Sequence, residues 1–212
     1  MKQILVYADS LSWGIIPGTR QRLPFARRWP GVLETGLKEQ GEDVRVIENC
    51  LNGRRTVWED PLKPGRDGSQ GLAQVIEMHS PLSLVILMLG INDFQRVHNN
   101  NAWLSAQGTA KLISIIRQAP IEPGMPVPDI LVVSPPAITA PVNDMKEKFE
   151  DAGKRCAGLA EELKKVSLEN NAHFFDAAAV IKTSAKDGIH LDAEQHTELG
   201  QSLSKTVAAI IK

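Results

Sequence analysis

Four short polar groups in this chain have the residue types and the placement to do chemistry on a carbonyl. The first, Ala8-Asp9-Ser10-Leu11, follows the apolar run Ile4–Tyr7. A serine just past a buried strand stands at the mouth of a sheet, and a helical turn after it would set backbone N–H groups beside its hydroxyl. That hydroxyl is a weak nucleophile until a base takes its proton. The second group, Asp187-Gly188-Ile189-His190-Leu191, precedes the last helical segment. A spacing of three across a turn can set a carboxylate against an imidazole, hold the ring's tautomer and stabilise its cation. Gly188 permits the tight turn. The third group, Gly90-Ile91-Asn92-Asp93, follows the strongest apolar run, Leu84–Leu89, where an asparagine can aim its amide at an oxyanion. The fourth, Leu51-Asn52-Gly53-Arg54, follows the second strand, where a glycine lets a backbone N–H come close to a ligand. Taken one at a time, each has a plainer reading. Ser10 could cap a helix, Asp187 and His190 could share a structural hydrogen bond, and Asn92 and Gly53 could be turn residues.

The other reactive side chains read as structural. His196 lies four residues after Asp192 on an amphipathic helix and is expected at its surface. His79 sits at a helix end before Ser80-Pro81, and His173 begins a strand as a packing residue. His98, in the polar stretch Arg96–Asn101, keeps a substrate role open. Cys50 and Cys156 are too few for a disulfide framework and read as free thiols in a reducing, cytoplasmic setting. No His, Cys and carboxylate cluster has metal-ligand spacing, so neither metal nor cofactor is expected. No G-x-G-x-x-G follows the first strand, which argues against a dinucleotide site.

Positioning these groups falls to five apolar runs: Ile4–Tyr7, Val44–Ile47, Leu82–Leu89, Ile130–Val133 and His173–Asp176. Most are continuous rather than alternating, as in a parallel sheet covered on both faces. Helical periodicity fills the segments between them. Ala102–Gln118 carries Leu104, Leu112, Ile113 and Ile116, and Asp144–Asn170 carries Leu159, Leu163 and Val166. The last helix starts at Asp192, with Gln195 completing a capping box, and runs to Lys212. Alternating strands and helices imply right-handed βαβ units in a doubly wound α/β sheet. Two long irregular stretches, Gly14–Pro24 and Asn52–Gly71, follow strands and so belong at the carboxyl end of the sheet, where ligands bind.

Composition bounds the function classes. With 212 residues, 42% hydrophobic and 23% charged, the chain suits one soluble domain over residues 1–212. A net charge of −1 gives no nucleic-acid footprint, and the basic cluster Arg20, Arg22, Arg27 and Arg28 reads as a solvated face. No apolar stretch reaches the roughly 18 residues of a membrane span, and Asp9 interrupts the first run too early for a signal peptide.

In this order the four groups resemble the SGNH (GDSL) hydrolase family, with its GDS-type, glycine, G-x-N-D and D-x-x-H blocks. The flanks Ser12-Trp13-Gly14, Arg28-Trp29, Val85–Gly90 and Asp187–Leu191 are similar to the bacterial arylesterase and acyltransferase subgroup. The resemblance implies a flavodoxin-like three-layer α/β/α sandwich with a five-stranded parallel sheet. It also implies metal-free hydrolysis of a small short-acyl ester, acyl transfer to alcohols and a homo-oligomer. By position Ser10 would be the nucleophile, His190 the base and Asp187 its orienting acid. The Ser10 and Gly53 backbone N–H groups and the Asn92 amide would form the oxyanion hole. Asp9, Leu11, Trp13, Trp29, Trp58 and Ile189 are candidates for the substrate pocket. One departure stands out: Ala8 occupies a position where the family usually has glycine. If the backbone there needs a positive φ, alanine costs about 1 kcal/mol. Carbohydrate acetylesterase and acyl thioesterase activities are the same-class alternatives, and a non-catalytic flavodoxin-like binding module is the alternative of another class.

Overall fold

The computed structural model describes residues 1–212. In chain order the elements are β1 (Lys2–Ala8), α1 (Ser10–Trp13), α2 (Trp29–Glu39), β2 (Val44–Cys50), α3 (Leu72–His79), β3 (Leu84–Met88), α4 (Ala102–Arg117) and β4 (Asp129–Ser134). They continue through α5 (Asp144–Lys148), α6 (Ala152–Arg155), α7 (Leu159–Glu169), β5 (His173–Asp176) and α8 (Ala193–Ile210). The strands pair in parallel in the order β2-β1-β3-β4-β5. That order explains the sequence pattern. Central β3 is buried at every residue, whereas the edge strands β2 and β5 are partly exposed. All five strands fall on the predicted apolar runs.

After β1 the chain winds outward to β2, then returns past β1 to β3 and on to β4 and β5. Right-handed crossovers in opposite directions place helices on opposite faces. Accordingly α2 packs on α8, while α3 and α7 pack on α4. A crevice opens where the winding direction reverses, between the carboxyl ends of β1 and β3, and ligands of such sheets bind there. Ser10 follows β1 and Asn92 follows β3, so the topology brings them to the two walls of one crevice. No helix is long and apolar enough to cross a membrane.

Two helical expectations and two others need correction. Asp144–Asn170 is not one helix but three, because Asp151 (φ +54°) and Gly158 (φ +82°) adopt left-handed conformations that end a helical run. The break turns α5 toward the catalytic crevice. Asp192 does hold the N-cap position of α8, but its carboxylate accepts from Lys186 Nζ (3.0 Å), and Gln195 accepts from the Lys182 N–H (3.1 Å). No reciprocal capping box forms. His173, expected to pack, is exposed. The basic cluster is not a uniform solvated face either: Arg28 is buried and, with Arg22, is tied to Glu48.

His196 is also misplaced by its sequence context. It is fully buried between α8 and α2, and its Nδ1 accepts the Trp29 N–H at 3.2 Å, serving a backbone donor that the start of α2 leaves without an intrahelical partner. Burial, aided by the nearby charges of Arg28 and His190, pushes its pKa from 6.5 down to about 4. The imidazole is therefore neutral in the folded protein and gains a proton more readily when unfolded. Its contribution to stability is complete above the unfolded value and is lost as pH falls from 6.5 toward 4. The stability difference between wild type and His196→Gln should narrow by about 2 kcal/mol between pH 7 and pH 5. Chemical denaturation at both pH values checks this, and a difference that does not change with pH would rule out a buried neutral imidazole.

Candidate active site

Asp9 caps the single turn α1 by accepting the Leu11 N–H at 2.9 Å, and this turn lifts Ser10 to the end of β1. Ser10 Oγ lies 3.2 Å from His190 Nε2, and His190 Nδ1 lies 2.7 Å from Asp187 Oδ2. Asp187 Oδ1 accepts the N–H groups of Ile189 and His190, each at 2.9 Å. Gly188 makes this turn possible: it has φ +76°, and a side chain there would meet the Ala140 carbonyl oxygen at 2.4 Å. Burial alone would raise the pKa of Asp187. The hydrogen bonds from the His190 ring and from the two backbone N–H groups outweigh it and hold the carboxyl at about 2. It is thus ionised at neutral pH, fixes the ring and stabilises an imidazolium.

Ser10, Gly53 and Asn92, the residues expected to supply the oxyanion donors, line one cavity. Ser10 opens α1, so its N–H has no intrahelical acceptor. Gly53 has φ +85° and lines the same cavity, and its N–H meets no acceptor in the protein. The Asn92 amide also lines the cavity. Its Nδ2 donates to Asp9 Oδ2 at 3.0 Å and to the Arg54 carbonyl at 3.2 Å, so both of its hydrogens are engaged within the protein. Asp9, a candidate for the pocket wall, is instead buried behind it. Loss of hydration raises its pKa to about 7, against the pull of the Leu11 N–H, His190, Asn92 and Arg54.

Two residues that sequence reading missed set the direction of that amide. Gln95 Nε2 donates to Asn92 Oδ1 at 2.7 Å, and Gln95 Oε1 accepts from Arg55 Nη2 at 2.6 Å. Arg55 is fully buried and its Nη1 pairs with Asp60 at 2.9 Å. The chain of bonds leaves Asn92 one orientation, with oxygen toward Gln95 and nitrogen toward Asp9 and the Arg54 carbonyl at the cavity wall. A signal for Gln95 was available: residues three apart eclipse one another in a 3₁₀ turn, and residues 91–94 form one. Nearby, Asp93 accepts from the Thr56 N–H (2.9 Å), Thr56 Oγ1 (2.7 Å) and Ser105 Oγ (2.7 Å), which pins the loop after Gly53 to the end of β3.

A test follows from the Gln95 bond. Glu at 95 can only accept, so Gln95→Glu should set acceptor against acceptor at Asn92 Oδ1 and push the amide out of line with the cavity, since Asp9 and the Arg54 carbonyl oppose a full flip. The loss of one oxyanion donor should lower kcat by about 10²-fold with little change in KM. Gln95→Met, which imposes no orientation, should cost clearly less. Equal kcat losses in the two variants would show that Gln95 only fills space.

The cavity holds about 80 Å³. Ile15, Met145, Phe149 and Ile189 supply its apolar wall, and Arg20, Asn52, Asp60, Lys63 and Lys148 make the rest polar. Ile189 is the one pocket candidate found there besides the triad and oxyanion residues. Leu11 is buried in the core. Trp29 is fully buried and its Nε1 donates to Ser12 Oγ at 3.1 Å. Trp13 lies under the Arg22 guanidinium, 4.6 Å away. Trp58 packs beside His98 with ring centroids 6.3 Å apart, and neither lines the cavity. The tryptophans are held elsewhere because each has found a better partner in packing. Ala8 needs no left-handed backbone: it lies in extended β1, in register with Cys50 and Met88, with its methyl buried in the core.

Comparison with known proteins bears on the family and the fold. An arylesterase from Vibrio mimicus is 31% identical over 118 residues, which is 56% of this chain and half of the length of that relative. The inhibitor-bound aryl esterase of M. smegmatis superimposes with a TM-score of 0.94 at 32% identity, covering 99% of this chain and all of the other. A carbohydrate acetylesterase from Sinorhizobium meliloti gives 0.93 at 31% identity, with the same coverage. The GDSL-like Lipase/Acylhydrolase family matches residues 9–197, a span that holds every block described above. This chain belongs to the GDSL-like lipase/acylhydrolase family.

Proposed function

We propose that this chain hydrolyses short-acyl esters of polar alcohols through an acyl-enzyme on Ser10. The observation that carries the reading is His190, whose two ring nitrogens bridge Ser10 Oγ at 3.2 Å and an ionised Asp187 at 2.7 Å. As the serine oxygen attacks the ester carbonyl, His190 takes its proton, and Asp187 steadies the cation that forms. The oxyanion meets the N–H groups of Ser10 and Gly53, and the Asn92 amide when it turns one hydrogen away from the Arg54 carbonyl. His190 then returns the proton to the departing alcohol. Water, activated by the same base, releases the acyl group as a carboxylic acid. An alcohol in place of the water would be acylated instead.

The size of the cavity limits the acyl group. The space against Ser10 is small, about 80 Å³, which favours acetyl or propionyl there over a long chain. Its polar lining favours hydroxylated alcohols over plain aryl ones, which draws the reading toward the carbohydrate acetylesterase side of its relatives. A series of 4-nitrophenyl esters from acetate to decanoate tests this. The value of kcat/KM should fall steeply beyond butyrate. Best activity on octanoate or decanoate would overturn the short-acyl reading, and failure of an organophosphate to label Ser10 would favour a binding module.

A further inference from the structure

The walls around Ser10 are more cationic than ester hydrolysis requires. Arg20, Lys63 and Lys148 line the cavity, and none forms an ion pair within the protein, whereas Arg22 and Arg28 share Glu48 and Arg55 holds Asp60. Arg20 and Lys148 also line a groove that leads off past His190 and Asp187, where Asp144 is the one opposing exposed carboxylate. In the groove Arg20 and Lys148 face Asp144 and Asp187, and Asp187 is already engaged by His190 and two backbone N–H groups. Lys148 registers the crowding. Partial burial, then Arg55, Lys63 and Arg20, lower its pKa from the usual ammonium range against the opposing pull of Asp60.

The side of the site is set by the proton. His190 protonates the departing alcohol, so the groove beyond His190 receives the alcohol part of the ester. We propose that this alcohol part carries a carboxylate, received by Arg20 and Lys148, so that the substrate is an acylated hydroxy acid. The inference rests on the Ser10–His190 esterase reading. The ester C–O bond breaks, the acyl group passes to Ser10 Oγ, and the hydroxy acid leaves with the proton from His190. Water then releases the acyl group as its acid. An arginine's planar fork matches a carboxylate, and a lysine adds a mobile point charge beside it.

The test compares 4-acetoxybenzoate with its methyl ester, which presents the same acetyl group without the charge. The quantity read is the ratio of kcat/KM for the charged over the neutral ester, so the neutral ester reports on folding and on the catalytic groups in every variant. In the Arg20→Met, Lys148→Met double variant the ratio should drop by about tenfold, mainly through KM for the charged ester. In the wild-type enzyme the ratio should also decline between 0.01 M and 1 M salt, as the screening length shrinks from roughly 30 Å to 3 Å. Should the double variant fold poorly, Lys148→Met and the wild-type salt series carry the test alone. A ratio unmoved by both substitution and salt would overturn the proposal while leaving the esterase reading in place. A wild-type enzyme inactive on both esters would fail the esterase reading, and the proposal with it.

Discussion

Ser10→Ala should lower kcat by about 10⁶-fold, to the residue of catalysis that the oxyanion donors provide by themselves, while the protein keeps its fold. The size of the loss rests on the absence of a substitute. Ser12, two residues on, is fully buried: its Oγ accepts from Trp29 Nε1 at 3.1 Å and points at Met88 Sδ, 3.8 Å away. It has no base and no path to the cavity. Cys50 is no rival either, because loss of hydration holds its thiol far above the usual range and so uncharged. The check is kcat measured per folded molecule, alongside mass spectrometry after treatment with an organophosphate. The wild-type adduct should map to Ser10 and disappear in the variant. An adduct on Ser12, or activity within about tenfold of wild type, would remove Ser10 from the mechanism.

Asp187→Asn should cost about 10⁴-fold in kcat, the effect of presenting the base with its proton on the wrong nitrogen. The turn geometry dictates that outcome. The N–H groups of Ile189 and His190 both donate to Oδ1 at 2.9 Å, so an amide at 187 must keep its oxygen there. Its nitrogen then faces His190 Nδ1, where the carboxylate sits at 2.7 Å in the wild type. A donor at that position makes Nδ1 accept, and a neutral imidazole then carries its proton on Nε2, facing Ser10. The ring can no longer take the serine proton. Because the backbone bonds survive, thermal stability near neutral pH should change far less than activity. Asp187→Ala, which drops those bonds as well, should be the less stable of the two. If Asp187→Asn retained more than about a tenth of wild-type kcat, the carboxylate would be a structural partner only.

How much of this was legible in the sequence depends on the range of the interaction concerned. The five strands were readable because parallel strands covered on both faces are written as unbroken apolar runs, Leu84–Met88 above all. Ser10, Asp187 and His190 were readable because Ser10 opens α1 and the other two stand in the loop just before α8, both marked by short polar groups. Features fixed by what lies across the fold were not. His196 carries a helical surface pattern, and only the docking of α8 on α2 buries it. Trp29 looked available for a pocket until its indole N–H met Ser12. Arg55 stands in a loop of arginines, and nothing local separates it from Arg54 or Arg66. Its burial depends on Asp60 and Gln95, and the latter is forty residues away in sequence.

Ser10 and His190 are separated by 180 residues, the length of nearly every strand and helix in the molecule. Closing a loop of that size gains nothing until the intervening contacts are in place. The nucleophile and all three oxyanion donors lie before residue 93, yet the base that they need comes from near the other end of the chain. An assembling or partly unfolded chain is therefore chemically silent, unable to acylate itself or consume ester. Activity appears only when both ends of the winding have met. Turnover is thus a single-number report of the finished fold, and during refolding it should recover later than the tryptophan fluorescence that follows burial of the core.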